Sequence, residues 1–181
     1  LTVEECKNEA FEIALRIPGW AKKNVQLSVN GEPTGINLKP ASFAKISRNW
    51  KAGDVITLDM PIETTFIEGH PRIEEVRNQL AIKRGPIVYC VETPDLPENT
   101  GILDVYLPSD STLTATHDDN FLGGITTIQS DVLIRTDNTT NMYADVQQPK
   151  WQNHAVQFVP YYSWSNRGTA EMSVFVPIVW K

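Results

Sequence analysis

The sequence predicts an all-β chain built as two small antiparallel β-sandwich domains packed in tandem, jelly-roll or immunoglobulin-like. Three observations predict this. Apolar residues recur at every second position, the spacing of a strand with one buried face. Turn-forming residues punctuate these runs at short intervals. No stretch of helical length carries an amphipathic stripe; the segment from Glu4 to Ala10 has room for one turn at most.

The first run places Phe11, Ile13, Leu15 and Ile17 on one face, alternating with Glu12, Ala14 and Arg16, and Pro18-Gly19 ends it. Val25, Leu27 and Val29 alternate with Gln26 and Ser28 and lead into Asn30-Gly31, the strongest short signal for a two-residue hairpin turn. Strands are then expected at Phe43–Ile46 and Val55–Met60, separated by the turn Ala52-Gly53-Asp54. Gly69-His70-Pro71 and a polar stretch to Asn78 break the pattern, so a domain boundary is expected near residue 75: residues 1–75 form the first sandwich and 76–181 the second. In the second, Leu80–Lys83 and Ile87–Val91 flank the turn Arg84-Gly85-Pro86. Further strands are expected at Val105–Leu107, Ile125–Ile128, Val132–Arg135, Val156–Val159 and Met172–Val179. A first unit of this size is small for a closed sandwich. The chain opens on the strand-like Leu1-Thr2-Val3 without a starting Met, so it is expected to be part of a longer protein whose N-terminal strands are not included.

The chain has 181 residues, 41% of them hydrophobic and 21% charged, the balance of an ordinary globular protein. Its net charge of −6 gives nothing to neutralise phosphates, which argues against a nucleic acid or an anionic membrane as partner. No run approaches the length of a membrane-spanning helix. Two cysteines, Cys6 and Cys90, allow at most one bridge, and the expectation is two unpaired thiols with Cys90 buried. His70, His117 and His154 show no metal-ligand spacing, so no metal or other cofactor is expected in this chain.

No constellation for catalysis stands out. Glu4-Glu5, Glu74-Glu75 and Asp118-Asp119 are adjacent pairs, and adjacent side chains on a strand point to opposite faces, so they do not converge on one substrate as the two carboxylates of a glycosidase must. There is no nucleophile elbow, and Cys90 sits in the apolar run IVYCVE, where a thiolate is not favoured. Gly123-Gly124 lacks the Lys and Ser/Thr of a phosphate loop and reads as a turn or bulge. His117-Asp118-Asp119-Asn120 lacks the full oxygen spacing of a calcium loop. Asn138-Thr139-Thr140 is a formal glycosylation sequon.

Aromatic residues crowd toward the C-terminus: Trp151, Phe158, Tyr161, Tyr162, Trp164, Phe175 and Trp180. Tyr161, Tyr162 and Trp164 stand beside Asn166 and Arg167, and two readings follow. These five residues hold a sugar or an interface, or the rings belong to a sandwich rim while Asn166 and Arg167 tie down loop carbonyls. Gly168 is expected to turn the chain before the last strand.

Three stretches then carry a resemblance: LRIPGWAKKNVQLSVNGEPTG, leading on to FAKISRNWKAGDVITLDMP; HPRIEEVRNQLAIKRGPIVYCVE; and PYYSWSNRGTAEMSVFVP. In this order they resemble the C-terminal half of the β-L-arabinofuranosidase family, glycoside hydrolase family 127 and its relatives, with RGPIVYC and YYSWSNRG the most specific segments. The resemblance covers nearly the whole chain and is weakest between Leu107 and Trp151. It implies a parent enzyme with an (α/α)6-barrel catalytic domain followed by two β-sandwich domains. The barrel would hold the catalytic glutamate, the nucleophilic cysteine and a zinc site, none of which can be matched here. Cys90 corresponds to a sandwich-strand cysteine, not to the nucleophile. The resemblance therefore implies a non-catalytic accessory region that supports the barrel of the same protein or an oligomer contact, in a bacterial enzyme of the periplasm or exterior that acts on L-arabinofuranosides of plant glycans. The alternative is a carbohydrate-binding module using the 161–167 cluster.

Overall fold

The computed structural model describes residues 1–7, 9–137 and 141–180. The sequon Asn138-Thr139-Thr140 lies outside the described residues. The chain divides into two compact units, Leu1–Glu63 and Thr64–Lys181. All regular structure among the described residues is strand or short 3-10 turn, and no helix is long and apolar enough to cross a membrane.

In the first unit, β1 (Ala10–Ile17) pairs antiparallel with β4 (Ser42–Asn49). A second sheet has β2 (Gln26–Val29) between β3 (Glu32–Pro33) and β5 (Ile56–Asp59). Both sheets turn one face onto a shared core of Ile17, Leu27, Val29, Ala44, Ile46, Trp50 and Ile56. The β2–β3 turn shows why the sequence folds this way. Asn30 and Gly31 both take left-handed backbone angles, φ 53° and 84°, the pair that a type I′ hairpin requires and that Asn-Gly tolerates best. The Asn30 amide then donates to Asp54 Oδ1 at 2.8 Å while its oxygen accepts from the Val55 N–H at 2.8 Å, fixing the turn to the start of β5. Trp50 is fully buried, donates Nε1–H to the Phe11 carbonyl at 3.0 Å, and lies under the Arg48 guanidinium. The opening residues run alongside β5: Val3 N–H donates to the Asp54 carbonyl and Ile56 N–H to that of Leu1.

The second unit contains β6 (Thr64–Glu68), β7 (Gln79–Arg84), β8 (Ile87–Glu92), β9 (Val105–Pro108) and β10 (Thr114–Asp118). It continues with β11 (Ile125–Arg135), β12 (Trp151–Pro160), β13 (Met172–Ser173) and β14 (Phe175–Val179). Its pairings close on themselves through six strands, β7–β8–β12–β11–β9–β14 and back to β7. β6 occupies one edge of β7. The other edge of β7 is shared: Gln79–Ala81 pair with β14 and Ile82–Arg84 with β8. The jelly-roll or immunoglobulin-like sandwich expected here is thereby corrected. The unit is all-β, but a strand that bonds two partners along one edge links what would be separate sheets into a ring, and β9 and β14 run parallel, not antiparallel. The ring encloses Ile82, Tyr89, Val91, Val105, Leu107, Ile128, Val132, Phe158 and Val176.

Two expected strands, at 125–128 and 132–135, are one. β11 keeps its alternation through the polar Gln129-Ser130-Asp131, because Ser130 is small enough to be buried between Ile128 and Val132 while its neighbours point out. The expected single run from Met172 to Val179 is instead two strands, β13 on β8 and β14 on β7.

Candidate functional site

The residues singled out in the sequence lie on the segment that leaves β12 at Pro160 and returns as β13. What this segment does follows from the parity of β8. Tyr89 and Val91 point into the ring, so Cys90 and Glu92 point away from it, yet both are 0% exposed. β12 and β13 flank this part of β8, Val159 pairing with Cys90 and Met172 with Glu92, and Ser165 and Arg167 of the segment bond the Glu92 carboxylate. A carboxylate removed from water at this position needs a partner.

Arg167 supplies it. Its guanidinium donates Nε–H to Glu92 Oε2 at 3.1 Å, Nη1–H to Asp95 Oδ1 at 2.9 Å, and Nη2–H to one oxygen of each, both at 2.5 Å. The second oxygen of Glu92 accepts the Ser165 N–H at 2.8 Å, which Ser165 can direct there because its backbone is left-handed, φ 64°. The guanidinium also lies over the Phe121 ring, 5.6 Å from its centroid. The hydrogen bonds to Asp95, then those to Glu92, hold Arg167 above even the usual arginine range, against the opposing effect of burial. His154 Nε2 lies 3.0 Å from the Asp95 carbonyl, and Thr93 and Glu171 bond each other through Thr93 N–H to the Glu171 carbonyl and Glu171 N–H to Thr93 Oγ. Burial first, then the charge of Glu92, pushes the Cys90 thiol up to about 12, which removes it as a nucleophile.

The remaining residues of the corner form a turn. Tyr161–Ser163 is a 3-10 turn whose end is closed by Trp164 N–H to the Tyr161 carbonyl at 3.2 Å. Three residues per turn bring positions i and i+3 onto the same side, and the Tyr161 and Trp164 rings stand near-parallel, 19° apart in orientation and 6.4 Å between centroids. Trp164 Nε1–H is satisfied by the Ala170 carbonyl at 3.3 Å. Asn166 donates its amide to the Ser163 carbonyl at 3.1 Å, and the Ser163 hydroxyl to that of Pro160 at 2.7 Å. Tyr161, Tyr162 and Trp164 are 48%, 66% and 40% exposed.

Asn166 therefore ties a loop carbonyl, as one of the two sequence readings has it. Arg167 does not: it binds two carboxylates, and those carboxylates are what sequence reasoning missed. Glu92 was hidden because it closes an apolar strand, and Asp95 because it lies in a proline loop; both are more than seventy positions from Arg167 in the chain. The signal available was parity, which sends Glu92 to the face of β8 opposite the core.

Elsewhere the chemistry is sparse. A groove of about 640 Å³ in the first unit is floored by Leu27, Ile36, Leu38 and Leu58 and bordered by one carboxylate, Asp59. His117 bridges Asp119 at 3.0 Å and the Thr126 hydroxyl at 3.1 Å on the surface of β10. Asp118 accepts the Asn120 N–H within its own turn. Among the described residues no three His, Cys, Asp or Glu side chains are grouped so as to hold a metal ion. Cys6 and Cys90 are free thiols, and Cys6 donates to the Trp50 carbonyl.

Comparison with known proteins places this arrangement. Residues 1–62 match the model of the beta-L-arabinofuranosidase GH127 middle domain, and residues 64–177 that of the glycoside hydrolase family 127 C-terminal domain. The non-reducing end beta-L-arabinofuranosidase of Bifidobacterium longum subsp. longum is 32% identical over 176 residues, 93% of this chain. A glycoside hydrolase of solved structure superposes with a TM-score of 0.88 at 33% identity, covering 98% of this chain and 30% of that one. A GH127 beta-L-arabinofuranosidase from Geobacillus stearothermophilus T6 does so at 0.84 and 31%, covering 94% of this chain and 27% of that one. The chain spans 26% of the length of the Bifidobacterium relative. The chain belongs to glycoside hydrolase family 127, across whose middle and C-terminal domains it runs.

Proposed function

We propose that this chain is a non-catalytic accessory β-region of a glycoside hydrolase that acts on L-arabinofuranosides. Its partner in that reading is the catalytic barrel of the same protein, which it supports, or a second copy of the enzyme at an oligomer contact. The observation that carries the proposal is the closed Arg167–Glu92–Asp95 cluster. Glycoside hydrolysis needs one carboxyl group free to give up a proton and another free to attack or to activate water. Here the buried Glu92 and the partly buried Asp95 spend their oxygens on one guanidinium and one backbone N–H. The cluster joins β8, the loop after it and the 160–173 segment, which is a structural task. A bacterial periplasmic or extracellular setting and plant glycans as the natural substrate belong to the same proposal. It is supported by the two family domains and by relatives described as beta-L-arabinofuranosidases. The test is direct: the purified 181-residue chain, incubated with L-arabinofuranosides, should release no arabinose. Turnover that survives Glu92→Gln and Asp95→Asn would reveal a site elsewhere in the chain, and turnover abolished by them would make the cluster catalytic; either overturns the proposal.

A further inference from the structure

We propose that the Tyr161–Trp164 ring pair, with Tyr162 beside it, is a binding platform for the sugar rings of a neutral oligosaccharide. This goes beyond an accessory role and does not depend on it. The 3-10 turn stacks the two rings near-parallel, 6.4 Å between centroids, and both remain substantially exposed. The face of an aromatic ring is electron-rich, and the C–H bonds on one face of a sugar ring carry the complementary partial charge. The indole N–H is engaged by Ala170, so what Trp164 offers outward is ring surface.

The surroundings of the rings choose the occupant. From Tyr161 to Glu171 the sequence holds no Leu, Ile, Val or Met, and Ser165, Asn166, Thr169 and Glu171 are exposed. A protein hot spot would set such rings among desolvated apolar neighbours. Aromatic surface bordered by short hydroxyl, amide and carboxylate groups suits a ligand that is itself rimmed with hydroxyls.

The turn is also held in place before any ligand arrives. Ser165 and Arg167, within three residues of Trp164, are fastened to the buried Glu92, and Arg167 to Asp95 as well. A loop already ordered loses less entropy on binding. Arg167 is thus a positioning residue for the platform and, being occupied by two carboxylates, not a sugar ligand.

The experiment is titration of the 181-residue chain with arabino-, xylo- and galacto-oligosaccharides, followed by calorimetry and by saturation-transfer NMR. Saturable binding to at least one of them is expected. Tyr161→Ala and Trp164→Ala should each weaken it about tenfold, about 1.4 kcal/mol, with the far-UV spectrum of the fold unchanged. Trp164→Phe, which keeps a ring face, should retain most of the affinity, and Trp180→Ala, an exposed tryptophan outside the corner, should leave it unchanged. Arg167→Lys, which keeps the charge but loses the fork, should weaken it. The proposal is overturned by absence of saturable binding to all three classes, or by binding that survives both alanine substitutions. It is equally overturned by self-association of the chain that Trp164→Ala abolishes, which would make the rings a contact between copies.

Discussion

Removing the guanidinium of Arg167 should strand Glu92. The Glu92 side chain has no exposure to water, and Arg167 contributes two of its charge-assisted bonds, leaving only the Ser165 N–H once it is gone. Asp95 loses its two bonds from the same side chain but remains partly exposed and can be solvated. Breaking one partner of a buried pair costs about 3–5 kcal/mol, because the remaining charge is left in a poor solvent. For a chain of this size about 1 kcal/mol corresponds to 2–4 °C in melting temperature, so Arg167→Met should lower it by roughly 6–20 °C. The assay is urea and thermal denaturation. A thermodynamic cycle separates the stranded charge from lost packing: Glu92→Gln added to Arg167→Met should return at least about 2 kcal/mol, since neutralising the buried carboxylate removes most of the penalty. If Arg167→Met costs less than about 1 kcal/mol, or if Glu92→Gln makes the variant worse, the cluster does not hold the corner in the way argued.

Further outcomes follow from other residues. Trp50→Ala should destabilise the first unit by about 3–5 kcal/mol in equilibrium denaturation, since it empties a fully buried ring site. The hydrogen bond from Asn30, then that from the Lys51 N–H, holds the Asp54 carboxyl below its ordinary value of 3.8. A depressed carboxylate contributes stability that is fully present above the unfolded value and is lost as pH falls through the folded one. Stability should therefore decline below about pH 4, and Asn30→Ala should flatten that decline while lowering stability at neutral pH, as measured by denaturation across a pH series. With its thiol at about 12 and no exposure, Cys90 should resist a thiol reagent at pH 8 until the protein is unfolded. Only Cys6, half-buried, should label in the native chain; rapid labelling of both would contradict the packing around β8.

How far the structure was legible depended on whether one face of a strand had to be buried. β1 is legible because Ile13, Leu15 and Ile17 turn one face to the core, although Phe11 at its start is exposed. The β2–β3 turn was read from two residues because Asn30-Gly31 has few other uses. β10 was not readable: all five of its residues are exposed, so its sequence carries no period, and only pairing with β11 makes it a strand. β6 escaped because its short run Thr64–Glu68 follows Pro61 and shows little contrast between its faces. It joins the second unit through β7, so the division at residues 63 and 64 lies before the boundary near 75 suggested by turn residues. At the candidate site the aromatic and polar residues of the corner were visible as a cluster. Their anchor was not, because a pair such as Arg167 and Glu92 leaves no local pattern.

The shared edge of β7 also bears on how the chain is made. The strand pairings described for the first unit can all be in place once β5 has been made. Those of the second are complete only when β14, the last of its described strands, reaches both β7 and β9. Until then β7 has half of one edge unpaired, and the nascent unit offers it to any passing strand. Slow, late closure of this kind sets a window for misassembly during synthesis. Substitutions in β14 should therefore show first as poor yield of folded protein.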